Sequence, residues 1–177
     1  MKVLGISGSL RADSHNSRLL RVAAELLPPG VEFEEFRALR DLPPYDADTE
    51  DDPAPAVVAL KAAIADADAV LIATPEYNHS IPGVLKNALD WVSRPIAENP
   101  MRGKPALVIG ASTGMFGAVW AQAETRKVLG ALGARVIDDE LPVAQAPAGL
   151  DAHELQARLA DLLDQLVSSG EALRRAA

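Results

Sequence analysis

Short runs of aliphatic and β-branched residues alternate along the chain with longer stretches whose apolar residues recur every three to four positions. The short runs are Lys2 to Ile6, Val31 to Phe36, Ala69 to Thr74, Ala106 to Ala111 and Arg135 to Asp138. Between them the helical period covers about Asn16 to Leu27, Ala54 to Ala67, Pro82 to Val92 and Gly117 to Leu132. A last helix follows Asp151 and Glu154, which have capping-box spacing, and sets Leu155, Leu159, Leu162, Leu163 and Leu166 on one face. Strands separated by helices of this length predict βαβ units, a parallel sheet and right-handed crossovers.

Five such strands fit a flavodoxin-like fold: a three-layer α/β/α sandwich around a five-stranded parallel sheet of order 2-1-3-4-5, spanning residues 1–177 as one domain. The second run, Val31-Glu32-Phe33-Glu34-Glu35-Phe36, carries enough charge to be an edge strand, whereas Val70 to Ala73 reads as central. Asp41 to Pro55, rich in proline and acid, is the one long loop, and Asp48 to Asp52 within it reads as a solvated connection.

With 177 residues the chain can close one compact core. Only 4% of residues are aromatic against 49% hydrophobic, so that core is aliphatic. Twenty-five acidic residues against 17 basic ones, a balance of −8, argue against a nucleic-acid partner, which needs a basic surface. No cysteine is present, so there is no disulfide, thiolate nucleophile or cysteine metal site, and any redox chemistry requires a cofactor. No run reaches membrane-spanning length and none has the make-up of a signal peptide, so the expectation is a cytoplasmic protein with no membrane partner.

Three unusual loops follow the first, third and fourth strands, and a doubly wound sheet gathers all three at its carboxyl edge, where ligands of such folds bind. In the first, the hydroxyls of Ser9 and Ser17, the side chains of Arg11 and Asn16, and the N–H groups opening the next helix suit a phosphate dianion. The competing reading is that Ser14 or Asn16 only caps the helix and Arg11 is a surface charge. In the second loop, Thr74 to Gly83, Pro75 and Pro82 stiffen a backbone that suits the edge of a planar heterocycle, with Tyr77 offering an aromatic surface, or simply end a strand and start a helix. Trp91, further on, reads as a packing residue within the subunit or against a partner. In the third, Ser112, Thr113 and Gly114 can present N–H groups to the pyrimidine-like end of a flavin, or form an ordinary turn. There is no G-x-G-x-x-G, no P-loop, no nucleophile elbow and no H-E-x-x-H, and His15, His79 and His153 lack ligand spacing, so no metal is expected.

Gly8-Ser9-Leu10-Arg11-x-x-Ser14-x-Asn16, Pro75-Glu76-Tyr77-Asn78-x-Ser80-Ile81-Pro82-Gly83-x-Leu85-Lys86-Asn87-Ala88-Leu89-Asp90-Trp91 and Ser112-Thr113-Gly114 resemble the NADPH-dependent FMN reductase family, which includes quinone, azo-dye and chromate reductases. The likeness runs to about Leu132. It implies bound FMN, NADPH or NADH as co-substrate, a small-molecule electron acceptor such as a quinone or free flavin, and ping-pong transfer without a catalytic side chain. It further implies that Ser9, Arg11, Asn16 and Ser17 hold the phosphate, that Pro75 to Asn78 line the ring, and that Ser112 to Gly114 face its polar edge. A homodimer or homotetramer formed through Val84 to Trp91 is implied as well, with Leu42 to Tyr45 reaching toward a neighbouring site. His79, Ala118 and Trp120 depart from the family, which often has an aromatic residue, glycine and arginine there. The alternatives are an FMN electron carrier of the same fold, or a redox-sensing protein that does not itself oxidise NAD(P)H.

Overall fold

The computed structural model describes residues 1–176. Its sheet is built from β1 (Lys2–Ser7), β2 (Glu32–Phe36), β3 (Ala69–Ala73), β4 (Pro105–Ala111) and β5 (Arg135–Val136), in the order β2-β1-β3-β4-β5, with every pairing parallel. Charged β2 does lie at the edge, and β3 and β4 are buried throughout. The fifth strand is shorter than the run Arg135 to Asp138 suggests. It pairs only with Pro105 and Ala106, and a sixth two-residue strand, β6 (Pro142–Val143), pairs with Gly110 and Ala111 instead. Two residues carry no readable period, and the sequence pattern does not reveal β6.

Alternate strand residues supply two separate cores, as a parallel sheet covered on both faces requires. Leu4, Ile6, Val70, Ile72 and Val108 face α2 (Pro55–Asp66) and α3 (Gly83–Val92) through Val57, Leu60, Ile64, Leu85 and Leu89, and Leu129 of α4 (Val119–Ala131) joins them. Val3, Leu71, Leu107 and Ile109 face α1 (His15–Leu26) and α5 (His153–Ala176) through Leu19, Leu20, Leu159, Leu162, Leu163 and Leu166. Each such leucine, once fully buried, contributes roughly 1.5–3 kcal/mol.

The last helix keeps its predicted apolar face but not its predicted cap. Asp151 lies in a 3-10 turn (Ala148–Asp151), and its carboxylate pairs with Arg18 of α1 rather than closing a box with Glu154. Trp91 packs inside its own subunit, 1% exposed, edge-on to Tyr45 at 5.1 Å, with its indole N–H donating to the Pro43 carbonyl at 2.8 Å. Asn87 completes the attachment by donating to Pro43 O at 2.9 Å and accepting from Tyr45 N at 2.7 Å, so Leu42 to Tyr45 is fastened to α3. Among the described residues no helix is long and apolar enough to cross a membrane.

Candidate functional site

The three loops meet at the carboxyl edge of the sheet. Ser9, Arg11, Ser14, His15, Asn16, Pro75, Glu76, Tyr77, Ala111, Ser112 and Thr113 surround one cavity of about 360 Å³. Volume alone does not select it, since a depression of about 450 Å³ lies at the amino edge around Met1, Lys2 and Asp66. There, however, Lys2 is already paired with Glu34 and Asp66, whose hydrogen bonds raise its pKa and lower that of Asp66.

The first loop leaves β1 with Gly8 N still donating to Ala73 O at 2.8 Å. A Cβ on Gly8 would stand 3.1 Å from Leu85 Cδ2 and 3.2 Å from Pro75 Cδ, so the glycine lets this loop cross tightly over the second. Ser14 caps α1, its hydroxyl accepting from Asn16 N at 3.2 Å and Ser17 N at 3.3 Å. Two of the helix-opening N–H groups expected to meet a phosphate are thereby occupied. Ser17 does not line the cavity and donates to Ser7 Oγ at 2.9 Å. Ser9 and the exposed Arg11 do line it, and the guanidinium gives one N–H to Asp13 O at 2.8 Å while its other donors are uncommitted among the described residues.

Asn16 borders the cavity but is 2% exposed, and its carboxamide is spent on the backbone of Ala111. Nδ2 donates to Ala111 O at 2.9 Å and Oδ1 accepts from Ala111 N at 2.9 Å. The reason is topological. The β3–β4 ladder ends at Ala73 and Ile109, so β4 runs two residues further, and Asn16 takes the place of the missing strand neighbour. Side chain and backbone 95 residues apart thus tie the first loop to the third.

The second loop is a tight turn in which Tyr77 and Ser80 exchange backbone bonds, with Asn78 and His79 both at positive φ. Asn78 is exposed at the tip and does not line the cavity. Glu76 crosses to the third loop, where its Oε2 accepts from the N–H groups of Trp120 at 3.0 Å and Ala121 at 3.1 Å and so closes the amino end of α4. Glu124 of α4 returns the contact, accepting from the Ser80 hydroxyl and from Ile81 N at 3.2 Å. Those two bonds, the hydroxyl first, hold its carboxyl below the usual carboxylate range. The two carboxylates form a reciprocal clasp that sequence spacing did not signal.

Ser112 and Thr113 line the cavity, whereas Gly114 lies outside it, with its carbonyl accepting from Gln145 N at 2.9 Å. Ser112 N is used on Val143 O at 3.0 Å, which leaves Thr113 as the residue of this loop that lines the cavity with its N–H uncommitted among the described residues. Behind them Gly117, at φ +56°, passes so close to β6 that a Cβ would fall 2.4 Å from Pro142 C. Ala118 follows at φ +62°, in the left-handed region. Fully buried Gln122 pins this turn, donating to Gly117 O at 3.0 Å and accepting from Leu141 N at 3.1 Å.

The cavity therefore has one cationic end, Arg11, and one end edged by backbone, with a rigid turn between them. Residues 1–148 match the profile of a family described as NADPH-dependent FMN reductase. The NAD(P)H-dependent FMN reductase PA1204 of Pseudomonas aeruginosa is 44% identical over 162 residues, covering 91% of this chain and 85% of that protein. A 2-hydroxy-1,4-benzoquinone reductase of Burkholderia sp is 46% identical over 128 residues, covering 72% of this chain and 69% of that one. Among solved structures, the flavoenzyme FerB, an NAD(P)H:(acceptor) oxidoreductase from Paracoccus denitrificans, superposes with a TM-score of 0.86 at 37% identity over 97% of both chains.

Proposed function

The chain belongs to the NADPH-dependent FMN reductase family, and from that premise we propose that it is an NAD(P)H-dependent, FMN-containing oxidoreductase that passes electrons to a quinone, flavin or similar small acceptor. The convergence of three loops on one cavity with a single free guanidinium at its mouth carries this reading. When bound, FMN supplies the chemistry, taking hydride equivalents from NADPH or NADH and delivering them to the oxidised acceptor.

The protein binds, orients and excludes water. Arg11 and the Ser9 hydroxyl hold the phosphate, and Asn16 and Ser17 serve it indirectly by shaping the turn through Ala111 and Ser7. Pro75 to Tyr77 present stiff backbone along the ring plane, Asn78 turns the loop at its tip, and the clasp of Glu76 and Glu124 keeps that turn at a fixed height above α4. Thr113 offers its N–H to the edge where negative charge collects, while Ser112 and Gly114 anchor the loop through Val143 and Gln145. The donor set fits the group: one charge-assisted contact for the phosphate and neutral amides for the ring. One FMN-binding domain is enough, since α5 packs into the same core as α1. A cytoplasmic homodimer or homotetramer assembled through α3 is part of the same proposal, resting on the resemblance of Val84 to Trp91 to the family's dimer-forming helix.

The test is direct. Protein purified or reconstituted with FMN is expected to show a flavin absorbance band and to oxidise NADPH or NADH with a quinone present, its flavin bleaching rapidly on mixing with the coenzyme. Absence of flavin binding, or a bound flavin inert to both coenzymes, overturns the reading. Gel filtration with light scattering reads the assembly, and a monomer at micromolar concentration overturns that part alone.

A further inference from the structure

The chain has three phenylalanines, two tyrosines and two tryptophans. Phe33, Phe36, Tyr45 and Trp91 pack against the cores, but Tyr77, Phe116 and Trp120 stand 57%, 59% and 40% exposed at the carboxyl edge. Leaving that much aromatic surface in water at one rim is costly unless something covers it. The three do not stand apart from the cavity. Tyr77 lines it, and Trp120 N is bonded to Glu76, which also lines it.

Trp120 is also braced. His79 meets its ring at 4.6 Å and 87°, and Phe116 at 5.0 Å and 60°. Neither neighbour lies parallel to the indole, so the offset-stacked arrangement open to a planar guest is unused within the chain. Met115, next to Phe116 in the chain, is 75% exposed and adds adaptable apolar surface to the same loop. Two carboxylates adjoin this shelf: Glu76, which accepts from Trp120 N and lies 3.6 Å from His79 Nδ1, and Glu124, one turn further along the same helix as Trp120 and bonded to Ile81 N. Two negative charges beside the rings disfavour a ligand carrying a pyrophosphate and tolerate an uncharged one.

We propose that Trp120, braced by His79 and Phe116, is a specificity-determining platform that stacks uncharged planar acceptors of two or more fused rings at the mouth of the flavin site. This rests on the reductase reading above and adds the acceptor class that the site prefers. Trp120 is outside the residues that line the cavity, so the platform acts selectively on acceptors that extend beyond it.

The experiment uses the FMN-loaded protein and three acceptors: 1,4-benzoquinone, menadione (two fused rings) and ferricyanide, which cannot stack. In Trp120→Leu, which keeps apolar bulk on a helix and removes the aromatic plane, KM for menadione should rise about three- to tenfold relative to that for benzoquinone, the range expected for one lost aromatic pair. Trp120→Phe should restore most of the difference. Independently of turnover, menadione titrated into oxidised protein without coenzyme should quench tryptophan emission in the parent and lose that quenching in Trp120→Phe, because the remaining Trp91 is buried.

An unchanged menadione-to-benzoquinone ratio in Trp120→Leu overturns the proposal. So does a rise in KM for NADPH or NADH matching that for menadione, which would assign the shelf to the coenzyme. A uniform loss with all three acceptors accompanied by a change of assembly state overturns it too, by making the shelf a subunit contact. These failures differ from failure of the reductase reading, in which the parent protein itself oxidises no coenzyme with any acceptor.

Discussion

Replacing Asn16 by alanine separates two roles that its position allows. As a phosphate ligand, Asn16 would matter only when FMN is bound. As the clamp between α1 and the end of β4, it matters to the flavin-free fold as well. The substitution removes two hydrogen bonds at 2.9 Å, each worth about 1 kcal/mol net. It also strands the N–H and C=O of Ala111, which is 2% exposed, and an unpaired buried group costs about 1–3 kcal/mol. A water admitted to the emptied space recovers part of that second cost. The net loss is about 2–4 kcal/mol, or roughly 5–15 °C in Tm for a chain of this length. Urea or thermal unfolding of the flavin-free protein measures it. Asn16→Asp should be nearly as damaging, because a carboxylate can accept from Ala111 N but repels Ala111 O. If the flavin-free alanine variant unfolds with the parent while its FMN affinity drops, the clamp is wrong and the side chain serves the phosphate directly.

Arg11→Ala removes one charge-assisted contact worth about 1.5–3 kcal/mol, so FMN affinity should fall about tenfold or more with little change in flavin-free stability, as fluorescence titration would show. Gly117→Ala puts a methyl group 2.4 Å from Pro142 C at a φ of +56° and should cost about 3 kcal/mol or more, read as a lower urea midpoint, whereas Ala118→Gly relieves a left-handed residue and should be neutral or mildly stabilising. Glu124 has a folded pKa lowered by Ser80 and Ile81, so its stabilising effect is complete above the unfolded carboxylate value and fades as pH falls through the folded one. The stability difference between parent and Glu124→Gln should therefore shrink from pH 5 toward pH 3, and a difference that stays constant with pH contradicts the clasp.

Local pattern made the layers readable in advance. Short runs of aliphatic and β-branched residues became β1 to β4, and the leucine stripe of α5 faced the core as written, because burial of apolar side chains rewards a pattern that any correct pairing preserves. The three loops were legible for a related reason: glycine, proline and hydroxyl clusters mark where a chain leaves a parallel strand, and the crossover rule alone brings alternate loops to one edge. What the polar side chains do there is a different matter. Asn16, Glu76 and Asp151 each carry a plausible local assignment, as phosphate ligand, ring contact and helix cap, and each is bonded to a group 44 to 133 positions away that no local pattern reveals. The same is true of β6, which exists only because β4 leaves an open flank and Gly117 lets Pro142 approach it. A hydrogen-bonding side chain goes to whichever backbone group assembly leaves unpaired, and that remainder is defined by strand lengths and crossings rather than by neighbours in sequence. The amino-acid order thus determined the five-strand order, the two cores and the edge where the three loops converge, while tertiary contact alone decided which of that edge's polar groups are committed to the fold and which are left unpaired among the described residues.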